Sequence, residues 1–348
     1  MKPRVLTTLA AACAFACTGA AAQWWNPDSP IAPGKWEAYS KSFVYSTAIF
    51  HDAENVVRQA VAAGDFRKLD RMHDEFLAMM QAGGNGSRMM GAIDDSLQDA
   101  FRPGDRPRYT AFFKAWREGA PASKMRPAAE ARMWYALAWE ARGGGYASDV
   151  PPESMKAFQD DIGRATAILR EAGEGGKASP LWYNVAIGIA GVRGDDPRVL
   201  DAIFAEGVGR YPNYVGQYFA RMNFLLPQWG GSWDRVDAFI REAVMRTQAS
   251  EGTWLYANLY SSASATFHDG SFFSGTRASW PLMRHGFEDG LARGLGSLDT
   301  YASFQLIPVR LSTWRSFQFN PVWLNTCRSF QLIPVRLNTW KSFQLIPV

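Results

Sequence analysis

The sequence predicts an all-α fold, and three observations carry that prediction. Apolar side chains recur at helical spacing through the middle of the chain. Helix-start signals recur as well, in Pro151-Pro152-Glu153, Ser179-Pro180 and Asp196-Pro197, each behind a Gly- or Asp-bearing break. No convincing alternating strand pattern occurs outside the last 46 residues. The expected architecture is an irregular helix–turn–helix array followed by a repetitive C-terminal tail that does not look native.

Taken in order, residues 35–62 place Trp36, Tyr39, Phe43, Ala48, Val56, Val57 and Ala60 near one face, and Gly64-Asp65 ends that segment. Phe66 to Gln81 follows, with Leu69, Met72, Phe76, Leu77 and Met80 sharing a face, and Gly83-Gly84-Asn85-Gly86 stops it. Helices are expected over Tyr109 to Glu118 and Ala128 to Arg142, the second closed by Gly143-Gly144-Gly145. The next should run from Pro151-Pro152-Glu153 to Ala172. Ser179 caps a helix with Pro180 at its first position, leading into Leu181 to Val192, and Asp196-Pro197 repeats the device before Val199 to Gly207. Tyr214 to Leu226, Ser232 to Gln248 and Trp254 to Ser262 complete the set.

Three of these helices open alike, with Met133-Trp134-Tyr135, Leu181-Trp182-Tyr183 and Trp254-Leu255-Tyr256. The middle copy continues through a Gly-Asp-Asp-Pro turn to Phe204 and Tyr211-Pro212. That pattern resembles a tetratricopeptide repeat with a lengthened turn, although the copies lie further apart than a regular array requires. A second resemblance lies in Tyr211 to Val244, where Pro212-Asn213-Tyr214, Tyr218, Leu225-Leu226-Pro227-Gln228-Trp229-Gly230-Gly231-Ser232 and Phe239-Ile240-Arg241 occur. These are similar to a bacterial family of exported or cell-associated helical proteins, domain-of-unknown-function family four-zero-three-four, and the likeness covers roughly residues 130–260. It implies no activity. Read physically, Pro227, Trp229, Gly230, Gly231 and Ser232 form a structural turn: Pro ends one helix, the glycines take unusual backbone angles, and Ser232 caps the next helix with Asp234 near its positive end.

Both ends differ from the body. Lys2 and Arg4 precede a mostly apolar run from Val5 to Phe15, and Ala20-Ala21-Ala22 offers a small-residue cleavage site, so residues 1–22 read as a signal peptide. Residues 23–302 are the expected helical domain, exported to the periplasm or beyond. A lipoprotein anchored through Cys17 is the lesser expectation, since Leu is missing three residues before it. From Ser303 the chain repeats every 13 residues, as SFQLIPVRLSTWR, SFQFNPVWLNTCR, SFQLIPVRLNTWK and SFQLIPV. A Pro in each unit opposes helix pairing and sheet pairing alike. The near-identity of the copies reads as a translated tandem DNA repeat, so 303–348 is expected to be disordered or foreign to the fold.

Charge follows the same boundaries. Seven of the 37 cations lie in the leader and the tail, which leaves 30 against 33 anions, so the body is near −3 and offers no basic face to a nucleic acid. Cys13 and Cys17 belong to the leader, which leaves Cys327 in the tail and no internal disulfide for the mature chain. No later segment is long and apolar enough to suggest a transmembrane helix.

No catalytic set, no cofactor motif, no zinc-binding spacing, no phosphate loop and no nucleophile elbow occurs. Three of the four histidines precede Asp: His51-Asp52, His73-Asp74 and His268-Asp269. His51, His73 and Asp74, with Asp160 or Asp161, suggest a metal-dependent envelope hydrolase, because carboxylates suit hard cations and orient imidazole ligands. The bland reading places His51 and His73 on solvated helix faces, and treats His285 with Glu288 as a surface pair. The leading expectation is a peptide- or protein-binding scaffold of the cell envelope. Its ligand would lie on a concave face lined by Trp134, Tyr135, Trp182, Tyr183, Trp254 and Tyr256.

Overall fold

The computed structural model describes residues 47–83, 86–100, 106–144, 147–264, 271–293 and 295. The leader, the residues up to 46 and the repetitive tail lie outside them. Thirteen α-helices and no strand occur among the described residues: α1 (Thr47–Ala63), α2 (Phe66–Gln81), α3 (Gly86–Ala100), α4 (Arg106–Gly119), α5 (Arg126–Arg142), α6 (Pro152–Gly176), α7 (Pro180–Val192), α8 (Pro197–Arg210), α9 (Gly216–Asn223), α10 (Trp233–Arg246), α11 (Trp254–Ser264), α12 (Phe272–Gly275) and α13 (Trp280–Ala292). The all-α expectation holds, and the helices form an array. None of those searched is long and apolar enough to cross a membrane.

Local signals account for most boundaries. Ala53, Val56, Val57, Ala60 and Val61 bury one stripe of α1, which stops where Gly64 takes a positive φ. The Asp65 side chain accepts the Lys68 amide and starts α2. Ser179 caps α7, Asp196 caps α8 and Ser232 caps α10, all as the sequence predicts. Some boundaries move. A break at Gly173 interrupts α6, which then continues to Gly176. α9 covers only Gly216–Asn223, and Pro227 opens a short 3-10 turn through Trp229.

α3 is the helix the sequence reading missed. It starts on Gly86-Ser87-Arg88 and carries Gly91, so propensity argues against it. Tertiary packing overrides propensity: Met89, Met90, Ala92, Ile93 and Leu97 are buried against α1, α2 and α5. Gly86 is required where it stands, because a Cβ there would overlap the backbone of Phe76 and Met80 in the last turns of α2.

Two cores result. The first lies among α1–α7 and reaches to Tyr211 and Tyr214; Phe76, Phe113, Trp116 and Tyr183 are among its largest buried side chains. The second runs from Val208 to Leu295 and includes Tyr218, Ile240, Trp254, Tyr260 and Phe287. α7 is apolar on nearly every side and is buried accordingly, whereas α5 is buried on most sides although it carries Glu130, Arg132 and Arg142. α7 packs on α5 and α6 in the first core and on α8 and α9 beyond it. The Phe224 ring sits where a Cβ on Gly191 would be, so that crossing depends on glycine.

Candidate functional site

α8 has apolar residues on both of its faces. Leu200, Phe204, Gly207 and Val208 turn inward toward α7 and α9. A Cβ on Gly207 would meet Tyr183 and Gln217, which shows how closely α8 approaches them. Val199, Ala202 and Ile203 lie on the outer face, at spacings of three and four residues. Together with Asp196, Arg198 and Glu206 they line an open depression of about 530 Å³. Val199 remains 42 % exposed.

Paired charges bound this face at both ends. At the first turn, Arg198 clamps Asp196 through Nε and Nη2, at 3.1 and 2.6 Å. At the far end, the Glu206 carboxylate accepts Lys177 Nζ at 2.9 and 3.0 Å and the Tyr183 hydroxyl at 3.0 Å. Burial pushes the Glu206 carboxyl up, but the Lys177 ammonium and the Tyr183 hydroxyl outweigh it and hold the group below its ordinary value. The Tyr183 phenol moves up for the converse reasons, burial first and then the neighbouring carboxylate. Lys177 also lies 5.5 Å from the centroid of the Trp182 ring. The network ends in Arg210, which reaches Glu174 at 2.7 Å and Glu206 at 3.1 Å. The result is an apolar strip with an ionised, internally neutralised border.

The aromatic residues expected to line a ligand face do not line one. Trp134, Tyr135, Tyr183, Trp254 and Tyr256 are buried, and only Trp182 is partly open. Large aromatic rings in a helical array gain more by filling the layer between helices than by facing water. Trp134 does carry two half-exposed guanidinium groups, from Arg106 at 5.2 Å and Arg164 at 4.7 Å, which cover the ring. The structural turn matches in part: Gly230 is left-handed, Ser232 accepts the Arg235 amide, and a Cβ on Gly231 would overlap the Leu225 carbonyl, but Pro227 opens a 3-10 turn where it was expected to end a helix. Trp229 and Trp233 pack against the second core.

The histidines correct two expectations. His73 is not on a solvated face; it is 1 % exposed. Its Nδ1 lies 3.2 Å from Asp74 Oδ1 and its Nε2 lies 2.8 Å from Ser179 Oγ. A carboxylate can only accept, so Nδ1 carries the proton, and in the neutral ring Nε2 accepts the Ser179 hydroxyl. Ser179 in turn accepts the Leu181 amide at 3.3 Å. Both ring nitrogens are therefore engaged by protein groups, and His73 has none to offer a metal. The side chains of His51 and Asp52, and the pair His268-Asp269, lie outside the described residues. Asp160 and Asp161 do not join His73: Asp160 binds Lys156, and Asp161 takes Arg106 through two bonds. Among the described residues, no group of three or more His, Cys, Asp or Glu is placed to hold a metal ion. His285 is exposed, and Glu288 pairs with Arg284.

The order Asp74, His73, Ser179 is that of a hydrolase relay, but Ser179 has no exposed surface and its oxygen caps α7. The chain of bonds works as a clip. Asp70, one turn before His73 and Asp74, accepts Ser123 Oγ and Trp116 Nε1, and Ser123 accepts the Arg126 amide at the start of α5. One polar stripe of α2 thus holds the first turns of both α5 and α7. Burial, the largest influence, raises the Asp70 carboxyl, whereas the hydrogen bond from His73 lowers Asp74.

Comparison of the chain with family models, with curated proteins and with solved structures finds no match.

Proposed function

We propose that this protein is an exported, non-enzymatic scaffold that holds a segment of a partner protein on the outer face of α8. One observation carries the reading: Val199 and Ala202 are exposed on α8 and, with the half-buried Ile203, form an apolar strip between charged borders. Asp196 to Glu206 spans ten residue steps, about 15 Å of helix, which fits four or five extended residues or a few turns of an amphipathic helix. The borders neutralise themselves, so the strip selects apolar side chains and does not select a sign of charge. The family resemblance of Tyr211 to Val244 supports a cell-envelope setting but supplies no chemistry. The signal-like leader supports export with cleavage after Ala22, which N-terminal mass spectrometry of the mature chain checks.

The test is a photo-crosslinking residue placed at Val199 in the full chain, with a second placed at the exposed Lys114 on α4 as control. The proposal expects a discrete adduct from position 199 alone, lost in Ala202→Asp while the circular dichroism spectrum is unchanged. Equal or absent crosslinking from the two positions overturns it.

A further inference from the structure

In an open helical array each element touches its neighbours in sequence. The first turn of α3 departs from that pattern. Ser87 Oγ accepts the amide of Val215, at the start of α9, at 3.0 Å across 128 residues. Arg88 Nη2 binds Glu251 Oε2 at 2.9 Å across 163 residues, and both side chains are under one-tenth exposed. The Arg88 guanidinium also lies 5.8 Å from the centroid of the Trp254 ring at the head of α11. We propose that Ser87 and Arg88 form a latch that closes the array on itself and sets the angle between the two cores.

Both sides of the latch are held in place. Gly86 presses the start of α3 onto the end of α2 so closely that no side chain fits there. Opposite, Glu251 lies in the turn between α10 and α11, next to Gly252 at φ 58°. Asp289 of α13 binds that turn through the Thr253 amide at 2.7 Å and the Thr253 hydroxyl at 3.0 Å, and Arg293 pairs with Asp289 at 2.7 Å. The Arg88 half of the latch therefore joins α2 and α3 to α11 and α13, and the Ser87 half joins α3 to the start of α9. A buried ion pair contributes little net stability compared with an apolar pair of the same shape, because desolvation offsets the attraction. What it adds is geometry: the guanidinium Nη2 and the carboxylate meet in one arrangement, whereas apolar surfaces tolerate sliding.

The experiment measures the distance between spin labels at Lys114→Cys on α4 and Met245→Cys on α10 by double electron–electron resonance. It uses the full chain with Cys13, Cys17 and Cys327 changed to Ser. The unaltered latch should give one distance. Arg88→Met and Glu251→Gln should each add a second, longer distance while helical circular dichroism is kept. Where a single variant loses helicity, Arg88→Met/Glu251→Met removes both buried charges and keeps the apolar contact. A second distance in that folded double variant supports the latch. One wild-type distance in every folded variant overturns it and leaves the pair as ordinary core polarity.

Discussion

The two cores are built from the same element and both bury aromatic rings, but the first is also tied by a carboxylate with three donors. Among the described residues, ten buried polar or charged side chains occur from His73 to Asn184 and four from Gln217 to Glu251. At the centre of the first core, Asp94 accepts Arg132 through two bonds at 3.0 and 2.7 Å, and Asn184 at 2.6 Å, tying α3, α5 and α7 together. The second core relies on rings: Tyr218, Trp254, Tyr256, Tyr260, Phe272 and Phe287. Its main polar tie there, Tyr260 to Asp237 at 2.7 Å, lies at the edge where Arg241 also reaches the carboxylate. Ring packing fills volume and tolerates small shifts. A carboxylate with three donors does not, so helix register is specified more tightly in the first core.

Substitution separates the two regions most sharply. Arg132→Ala strands the Asp94 carboxylate, and Phe287→Ala opens a cavity; each should cost about 3–5 kcal/mol in urea unfolding. The difference lies in rescue. Asp94→Leu/Arg132→Met/Asn184→Leu should recover most of the loss, because no charge stays buried, whereas the cavity at position 287 is recovered only by a residue of similar volume.

The caps give a smaller contrast of the same kind. Ser179→Ala removes a buried cap and leaves His73 Nε2 without its donor, which should lower stability by about 1–3 kcal/mol. Ser232→Ala removes a more open cap from α10 and should cost about 0.5–1 kcal/mol. Thermal melts of both variants check the order, and equal costs would show that the clip on α2 adds nothing to the cap. A fluorophosphonate probe should leave Ser179 unlabelled, and labelling would revive the hydrolase relay.

Two further effects are near the limit of measurement. Ala202→Asp faces open solvent and should change stability by no more than about 0.5 kcal/mol while abolishing the position-199 crosslink. Asp74 titrates below its ordinary value because His73 donates to it, so its contribution is present above the usual carboxylate range and fades as pH falls through the lowered value. The melting temperatures of wild type and Asp74→Asn should therefore differ slightly near neutrality and converge in acid. Because Asp74 is more than half exposed, that difference stays small.

Caps, breakers and apolar stripes are local, and they were legible. Ser179, Asp196 and Ser232 all start helices as read, the Gly64-Asp65 break falls where it was read, and Phe66–Gln81 matches the expected span residue for residue. The candidate face was half legible: Val199, Ala202 and Ile203 stand opposite Leu200, Phe204 and Val208, so apolar residues on both sides of one helix were visible. Which side stays uncovered depends on where α7 and α9 lie. Five of the six aromatic residues are buried, because composition shows that a ring is present and not which layer encloses it. His73 was misassigned because its partner Ser179 is 106 residues away.

The sequence by itself therefore determined the helical class, most helix starts and the turn from Pro227 to Ser232, because hydrogen-bond capping, proline geometry and glycine angles act within a few residues. Tertiary structure alone decided the existence of α3, the burial of His73, the Asp94–Arg132–Asn184 centre and the closure through Arg88 and Glu251. Each of these depends on desolvation by elements distant in sequence, and no local pattern encodes which distant surface will arrive.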